Sequence, residues 1–457
     1  MATVEATATG STLAQVTEKL DFKKILPVFV IVLIDLLGLT VIIPLMPLYA
    51  ASFGADAFAI GLLGAAYPVM QFIGAPLLGR LSDRYGRKPV LLISQAGTLI
   101  GFIVLGFANS LWLLYLSRIV DGLSGANIST AQAVITDSTT DKTRTQGLGL
   151  LGAAFGLGFV VGPILAFVSL AISGNNYHVP AFMAAGFSLL SILLTWFWLE
   201  ETLPVEKCGQ SNSKAVISFG SMIAALRKPL VGLLLVLMFA QQVAFGGFEQ
   251  LLSLFTLNRL GLNASGNAVV FVFVGIIVVA VQGGLIGQWS RKYGDKWLIY
   301  MGLGTLALGL ILTAFTPAQP VPWYSRAVIT AEFEAARQAG RSPAGHQTPP
   351  TQNIKIDLPD DTSKGWLGLI WILIAMIPAA VGGGVLQPAI NSLLTRNVNK
   401  SEIGGTLGVS AAFLSGANVW APVFGGALFQ VFGSTMPFLV GGVLLAALWV
   451  IARQVIQ

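Results

Sequence analysis

The chain has 457 residues, of which 55% are hydrophobic and only 10% charged. Soluble domains carry about 25% charged residues, so this composition cannot cover a water-facing surface and lipid must be the solvent for most of the chain. The net charge of +6 is spread over short loops, which argues against nucleic acid as a partner. A single cysteine, Cys208, excludes an intramolecular disulfide, and His178 and His346 lie at the edge of or outside the apolar runs, so no buried histidine relay or metal cluster is expected.

Residues 1–24 hold Glu5, Glu18, Lys19, Asp21, Lys23 and Lys24 and lack the apolar core of a signal peptide, so they read as a cytoplasmic tail. Apolar runs follow at 25–49, 58–79, 89–108, 111–136, 146–171, 179–199, 229–256, 268–288, 297–316, 366–390, 403–430 and 435–455. A helix needs roughly 20 residues to span a bilayer. The runs are continuous and do not alternate with period two, as the strands of a membrane barrel would. The expected fold is all-α and integral to the membrane, with twelve transmembrane helices numbered here as spans 1 to 12.

The basic residues set the expected orientation. With the N-terminus inside, Arg80, Arg84, Arg87, Lys88, Lys142, Arg144, Lys207, Lys214, Arg227, Lys228, Arg291, Lys292, Lys296, Arg396, Lys400 and Arg453 all fall on the inner side. Arg259 alone sits in a short outer loop, and the long segment 317–364 escapes the rule. Both termini are therefore expected in the cytoplasm, with the chain in a plasma or bacterial inner membrane.

Two echoes divide the chain. GRLSDRYGRK (79–88) returns as GQWSRKYGDK (287–296), and GLGLLGAAFGLGFVVGP (147–163) returns as TLGVSAAFLSGANVWAP (406–422). The second pair lies farther apart than the first by about the length of the polar, Pro-rich segment 317–364. The organisation expected is a tail at 1–24, a six-helix bundle at 25–199, a cytoplasmic linker at 200–228 and a second six-helix bundle at 229–457 that carries 317–364 as an outer insertion. The insertion reads as a tolerated loop with a short surface helix at 324–339, or as a segment with a regulatory or lid role. Parallel six-span repeats around a midplane site are an architecture of secondary transporters.

Four ionisable groups lie well inside the apolar runs: Asp35, Arg118, Asp121 and Glu249. Each costs several kcal/mol there unless paired or facing water. Asp35 lies ~15 Å from the inner end of span 1 and Arg118 ~10 Å from the outer end of span 4, so both approach the midplane. An Asp35–Arg118 pair with Asp121 one turn away fits a protonation switch, and it also fits a static ion pair. Arg118, Gly122, Gly125, Ser129 and Gln132 share one face of span 4, which either lines a cavity or packs tightly. Glu249 either snorkels to the headgroups or belongs to an outer gate. Gln241, Gln242, Gln387 and Asn391 are candidates for the cavity or for helix-to-helix hydrogen bonds, and Tyr67 and Gln71 are weaker ones. Gly149, Gly158 and Gly162 let span 5 approach a neighbour while Pro163 bends it. Gly79 and Gly86 permit close helix approach and a tight turn.

Four motifs, in order and each on its own span, carry a resemblance. They are DLLGLTVIIPLMP with Asp35, the stretch Gly79, Leu81, Asp83, Arg84, Gly86, Arg87 and Lys88, RIVDGLSGA with Arg118, Gly122 and Gly125, and the set Gly149, Gly158, Gly162 and Pro163. Together they resemble the major facilitator superfamily and, within it, the twelve-span drug:proton antiporters that include tetracycline exporters. One departure is that Ala166 and Phe167 stand where the span 5 pattern usually closes with two glycines, which the second half keeps as Gly425 and Gly426.

The resemblance implies two pseudo-symmetric six-helix bundles, with spans 1 and 4 lining one cavity. It also implies a cytoplasmic latch, in which Asp83 meets the start of span 11 near Gly404 and Gly405 while Arg87 bridges Asp83 and Asp137. The charges of the stretch also serve orientation alone, which accounts well for Arg84 and Lys88. The expected activity is proton-driven export of hydrophobic small molecules by a monomer, with substrate, protons and bilayer as its partners and no cofactor beyond the proton gradient. Proton-coupled uptake of a nutrient such as a sugar is the alternative, and a non-transporting receptor or scaffold is a third. No nucleotide-binding P-loop occurs, and no enzyme is expected. Tetracycline exporters of the family have further acidic residues in spans 3 and 9, whereas 89–108 and 297–316 contain none, which points to a different hydrophobic compound. Asn263-Ala264-Ser265 matches a glycosylation acceptor.

Overall fold

A computed structural model describes residues 22–125, 127–140, 144–203, 223, 226–338, 356–398 and 403–455. The tail at 1–24 and the linker at 200–228, with Cys208, fall largely outside these residues. The regular structure among the described residues is helical throughout. Among the described residues, eleven helices are long and apolar enough to cross a membrane. The remaining expected crossing, span 4, consists of two pieces, Leu111–Ser124 and Asn127–Asp137, each too short to cross alone.

Spans 1, 2 and 3 are Phe22–Ile42 continued by Met46–Ser52, Ala57–Tyr85 and Arg87–Gly106. Spans 5 and 6 are Arg144–Ser173 and His178–Trp198. Span 7 is Pro229–Leu260, and span 8 runs from Ala264 through a π-turn at Val281–Leu285 to Tyr293. Spans 9 to 12 are Asp295–Ala314, Leu367–Arg396, Ile403–Phe432 and Met436–Val455. Span 1 breaks around Pro44 because proline disfavours helix at the residue before it and has no N–H to give the preceding turn. Side chains such as Phe72, Ile172 and Phe197 are strongly exposed, as suits a lipid-facing surface.

Two sets of six helices pack internally. In the first, span 1 lies on spans 5 and 6, and span 3 on spans 4 and 6; in the second, span 9 lies on spans 10 and 12, and span 7 on spans 11 and 12. The sets meet through span 2 against span 11 and span 5 against span 8. Small residues make both seams, because they let backbones approach. Gly61 sits against Pro422 and Gly426, the Ala57 amide donates to Gln430 Oε1 at 3.1 Å, and Gly275 sits against Phe159 and Val160. Toward the basic loops, Gly79, Gly283, Gly284 and Gly287 have no atom of a described residue within 4 Å of where a Cβ would lie. Gly79, expected to allow close approach, therefore faces open space here.

The insertion is anchored on the second set. The Val321 amide donates to the Leu260 carbonyl at 3.0 Å, and Tyr324 packs over Gly261, whose φ of 65° suits glycine. Its helix, Arg326–Gln338, buries Ile329 and Phe333.

Candidate functional site

The break in span 4 makes the site. Its first helix stops at Ser124 and the second starts at Asn127. A broken helix frees backbone carbonyls, and inside a membrane each needs a partner. The Ser94 hydroxyl donates to the Ser124 carbonyl, and Gln71 Nε2 donates to the Gly125 carbonyl at 2.9 Å. Gln71 also donates to the Tyr67 hydroxyl at 3.1 Å, which places Tyr67 beside the break. Gly122 must be small because a Cβ there would strike Tyr67 and Met70 of span 2.

Beyond the break, Asn127 reaches span 1, where its Nδ2 donates to Asp35 Oδ2 at 2.7 Å. Asp35 Oδ1 is buried without a hydrogen bond. Before the break, Asp121 Oδ2 lies 3.2 Å from Arg118 Nη1, and the two side chains are 3% and 6% exposed. The ion pair is close but not aligned as a hydrogen bond, since Asp121 Oδ2 has no donor on axis. Thr98 adds a side-chain hydrogen bond to Asp121, and the Phe102 ring stands 5.5 Å from the Arg118 guanidinium. The Asp35–Arg118 pair expected from the sequence does not form. Arg118 takes Asp121, three residues on along its own helix, which needs no reach across to span 1. Asp35, Tyr67, Thr98, Phe102, Asp121 and Asn127 are among the residues that line one cavity of about 20 Å³ between spans 1 to 4. That volume suits a single water molecule, and two carboxylates face it.

The glycines of span 5 support this site from behind. Gly158 lies against Leu36 and Thr40, and Gly162 against Thr40, on the helix that carries Asp35. Pro163 lies within the same helix, as does Gly149, and Ala166 is fully buried.

A second charged group stands at the basic end of spans 2 to 4. Arg87 Nη1 donates to Asp83 Oδ1 at 2.6 Å and to Ser82 Oγ at 3.2 Å, while its Nε donates to Asp137 Oδ2 at 3.0 Å. Gly86 takes φ 104° between spans 2 and 3, and a Cβ there would meet the Glu201 carboxylate. That carboxylate accepts from the Arg87 and Lys88 amides at 2.9 and 3.0 Å, capping the positive end of span 3. Lys88 Nζ donates to the Trp196 carbonyl, and Arg84 lies over the Tyr85 ring.

The second set offers amides. Gln242 Nε2 donates to Asn418 Oδ1 at 2.8 Å, joining spans 7 and 11, and Ser410 Oγ donates to Asn391 Oδ1 at 3.1 Å, joining spans 11 and 10. Gln241 is buried with its Oε1 unbonded. Glu249 shares a helical face with Gly246, which lies against Ala421, and with Ser253, whose hydroxyl donates to the Pro44 carbonyl at 2.9 Å. This face meets spans 11 and 1, so Glu249 points at the seam between the sets and not at lipid. Gln387 is half-buried and Gln132 exposed.

Sequence reasoning missed Asn127, Ser94, Thr98, Phe102 and Glu201. The available signal was Gly125-Ala126-Asn127 in mid-span, since a glycine-interrupted run marks a discontinuous helix.

A family model for the Major Facilitator Superfamily matches residues 28–336. The chain is 34% identical to the class B tetracycline resistance protein of Escherichia coli over 276 residues, 60% of this chain and 68% of that protein. It is 26% identical to multidrug resistance protein 2 of Bacillus subtilis (strain 168) over 423 residues, 91% of this chain and 92% of that one. Among solved structures, the nucleoside transporter NupG superposes with a TM-score of 0.69 at 12% identity, covering 96% of this chain and 99% of that one. The human organic anion transporter MFSD10 superposes with a TM-score of 0.58 at 21% identity, covering 94% and 99%. These two structures speak for the fold.

Proposed function

This chain belongs to the Major Facilitator Superfamily, and we propose that it is a proton-coupled antiporter that exports hydrophobic, drug-like molecules by alternating access. The observation that carries the proposal is the pair of buried carboxylates, Asp35 and Asp121, on one water-sized cavity beside Arg118. Two acids on one cavity, with the one arginine paired to Asp121 and solvent largely excluded, do not both stay ionised at low cost, so one of them exchanges a proton. Asp35, whose hydrogen-bond partner among the described residues is the neutral amide of Asn127, is the proton carrier; Asp121, held by Arg118 and Thr98, stays charged and orients the arginine. Relatives named for tetracycline and multidrug resistance support an export direction.

The remaining roles follow from placement. Gln132, Gln241, Gln242, Glu249, Gln387 and Asn391 meet the substrate. Gly79, Asp83, Arg84, Gly86, Arg87, Lys88 and Asp137 form the latch, a reading supported by the Arg87 bonds to Asp83 and Asp137. Gly149, Gly158, Gly162 and Pro163 shape span 5 against span 1. Residues 25–199 and 229–457 are the two rocking units, the linker 200–228 joins them, and the basic loops and both termini are cytoplasmic, in a plasma or inner membrane. The working unit is a monomer that binds no nucleic acid and draws its energy from the proton gradient alone. With a mainly apolar interior, the preferred substrate is a lipophilic neutral or cationic compound. Asp295 at the head of span 9 does not supply the acidic residue missing from mid-span, so tetracycline is not the preferred cargo.

The test uses proteoliposomes with an acidic lumen and an internal pH dye. Lipophilic cations, neutral drugs including tetracycline, and sugars are added in turn. Proton efflux on adding a drug, absent in Asp35→Asn, is the expected result. Proton movement with a sugar and silence with every drug would replace export by nutrient uptake.

A further inference from the structure

The 317–364 insertion grows from the second set of spans but does not stay on it. Besides the Val321–Leu260 bond, Asn258 Nδ2 donates to the Asp357 carbonyl at 2.8 Å, and the Leu367 amide donates to Gln319 Oε1 at 3.0 Å. These contacts hold both ends of the insertion to the second set. Between them, the Arg326–Gln338 helix crosses the seam and packs on Met46–Ser52 of span 1. One residue of this helix bonds to both sets at once. Glu332 Oε1 accepts from Asn175 Nδ2 at 2.9 Å, in the loop after span 5, and from Asn263 Nδ2 at 3.2 Å, the residue capping span 8. Asn263 is fully engaged, since its Oδ1 also accepts from the Gly266 amide and the Ser265 hydroxyl, so the glycosylation match reads as a helix cap. Asn175 holds φ 62°, a conformation that presents its side chain to Glu332.

We propose that residues 317–338, held down beside 356–364, are a strap that keeps this face of the transporter shut, with the Glu332 carboxylate as its clasp between Asn175 and Asn263. A loop serving only as a tolerated insertion would rest on the set it grows from. This one spans both, and any opening of the seam at this face must pull Asn175 away from Asn263. The two bonds to Glu332 exist together only while the face is shut, so the clasp biases the equilibrium toward the state open at the basic end. The inference rests on family membership and not on what is exported, because its test involves no substrate.

Full-length protein with Cys208→Ser is placed in lipid nanodiscs. Spin-label pairs are introduced at Trp112 and Val431, which are exposed at the insertion end of opposite sets, and separately at Tyr85 and Tyr293 at the basic end. Double electron–electron resonance reads both distances. Glu332→Ala is expected to raise the ratio of long to short Trp112–Val431 distances about tenfold and to shorten Tyr85–Tyr293. Asn175→Gly, which keeps the positive φ and loses only the donor, should do the same, and Glu332→Gln should recover most of the wild-type distribution. Unchanged distances in the folded Glu332→Ala and Asn175→Gly proteins would overturn the strap. A shift in Glu332→Ala without one in Asn175→Gly would overturn the clasp, leaving Glu332 a contact within one set.

Discussion

The two sets of spans began from similar sequence and use it in opposite ways. In the first set the membrane interior holds Asp35, Arg118 and Asp121 around a broken helix; in the second, continuous helices are joined by neutral bonds such as Gln242–Asn418 and Ser410–Asn391. The basic ends differ just as sharply. Asp83 and Arg87 of the first repeat align with Arg291 and Asp295 of the second, so the charges have changed places. In the first, a central arginine binds two flanking carboxylates. In the second, a central buried carboxylate, Asp295, binds the hydroxyls of Ser290 and Ser392 at 2.6 Å and one exposed arginine, Arg396, at 3.2 Å. Only the turn is shared: Gly86 and Gly294 both take positive φ, 104° and 82°. Backbone geometry has outlasted the duplication better than charge, because the turn between two antiparallel spans allows few conformations, whereas an ion pair can be rebuilt from either side. The paired charges within the spans lie in the first set, while the second carries a single intramembrane carboxylate, Glu249, among neutral amides.

The largest expected difference between the halves is in stability. Arg118→Ala leaves Asp121 buried without its cation and should lower stability by about 3–5 kcal/mol in thermal unfolding. Arg396→Ala removes a 66% exposed partner from a carboxylate already held by two hydroxyls and should cost about 1 kcal/mol or less. Equal losses would erase the contrast. In transport, Asp35→Asn should reduce proton-driven flux about 100-fold, while Gln242→Leu should change apparent substrate affinity and leave proton coupling intact. Gly86→Ala should destabilise by about 1–3 kcal/mol, since it meets both a positive φ and the Glu201 carboxylate, and Gly294→Ala should cost less because its surroundings are empty.

The smallest effect concerns pH at the insertion face. Burial raises Glu332 above its ordinary value of 4.5, against the lowering by Asn263 and Asn175. The only titratable group facing it from the loop after span 5 among the described residues is Tyr177, which burial pushes further up and keeps protonated. The shut face therefore holds the Glu332 proton more tightly than the open one. Its preference for closure is fully present below the open-state value and is lost as pH rises through the raised one. The Trp112–Val431 distances should lengthen a few-fold in population across that window in the wild type and not in Glu332→Gln.

Much of the molecule was legible from sequence because a membrane constrains composition so strongly. Span lengths, the halves and the ionisable residues within them follow from the cost of placing charge or bare backbone in hydrocarbon, and the motif around Asp83 marks the turn between spans 2 and 3. Two things escaped. One is the pairing inside the site. Spacing placed Asp35 and Arg118 at similar depth, but only packing shows that span 4 breaks at Gly125, that Arg118 keeps Asp121, and that Asn127 turns to Asp35 instead. The other is every contact made across long sequence distance, such as Glu201 on the start of span 3 and Glu332 between Asn175 and Asn263. Hydropathy is a sum over neighbours in the chain, and it determined where this protein crosses the membrane. Hydrogen bonds between residues far apart in sequence depend on helix rotation and approach, and these the tertiary structure alone decided.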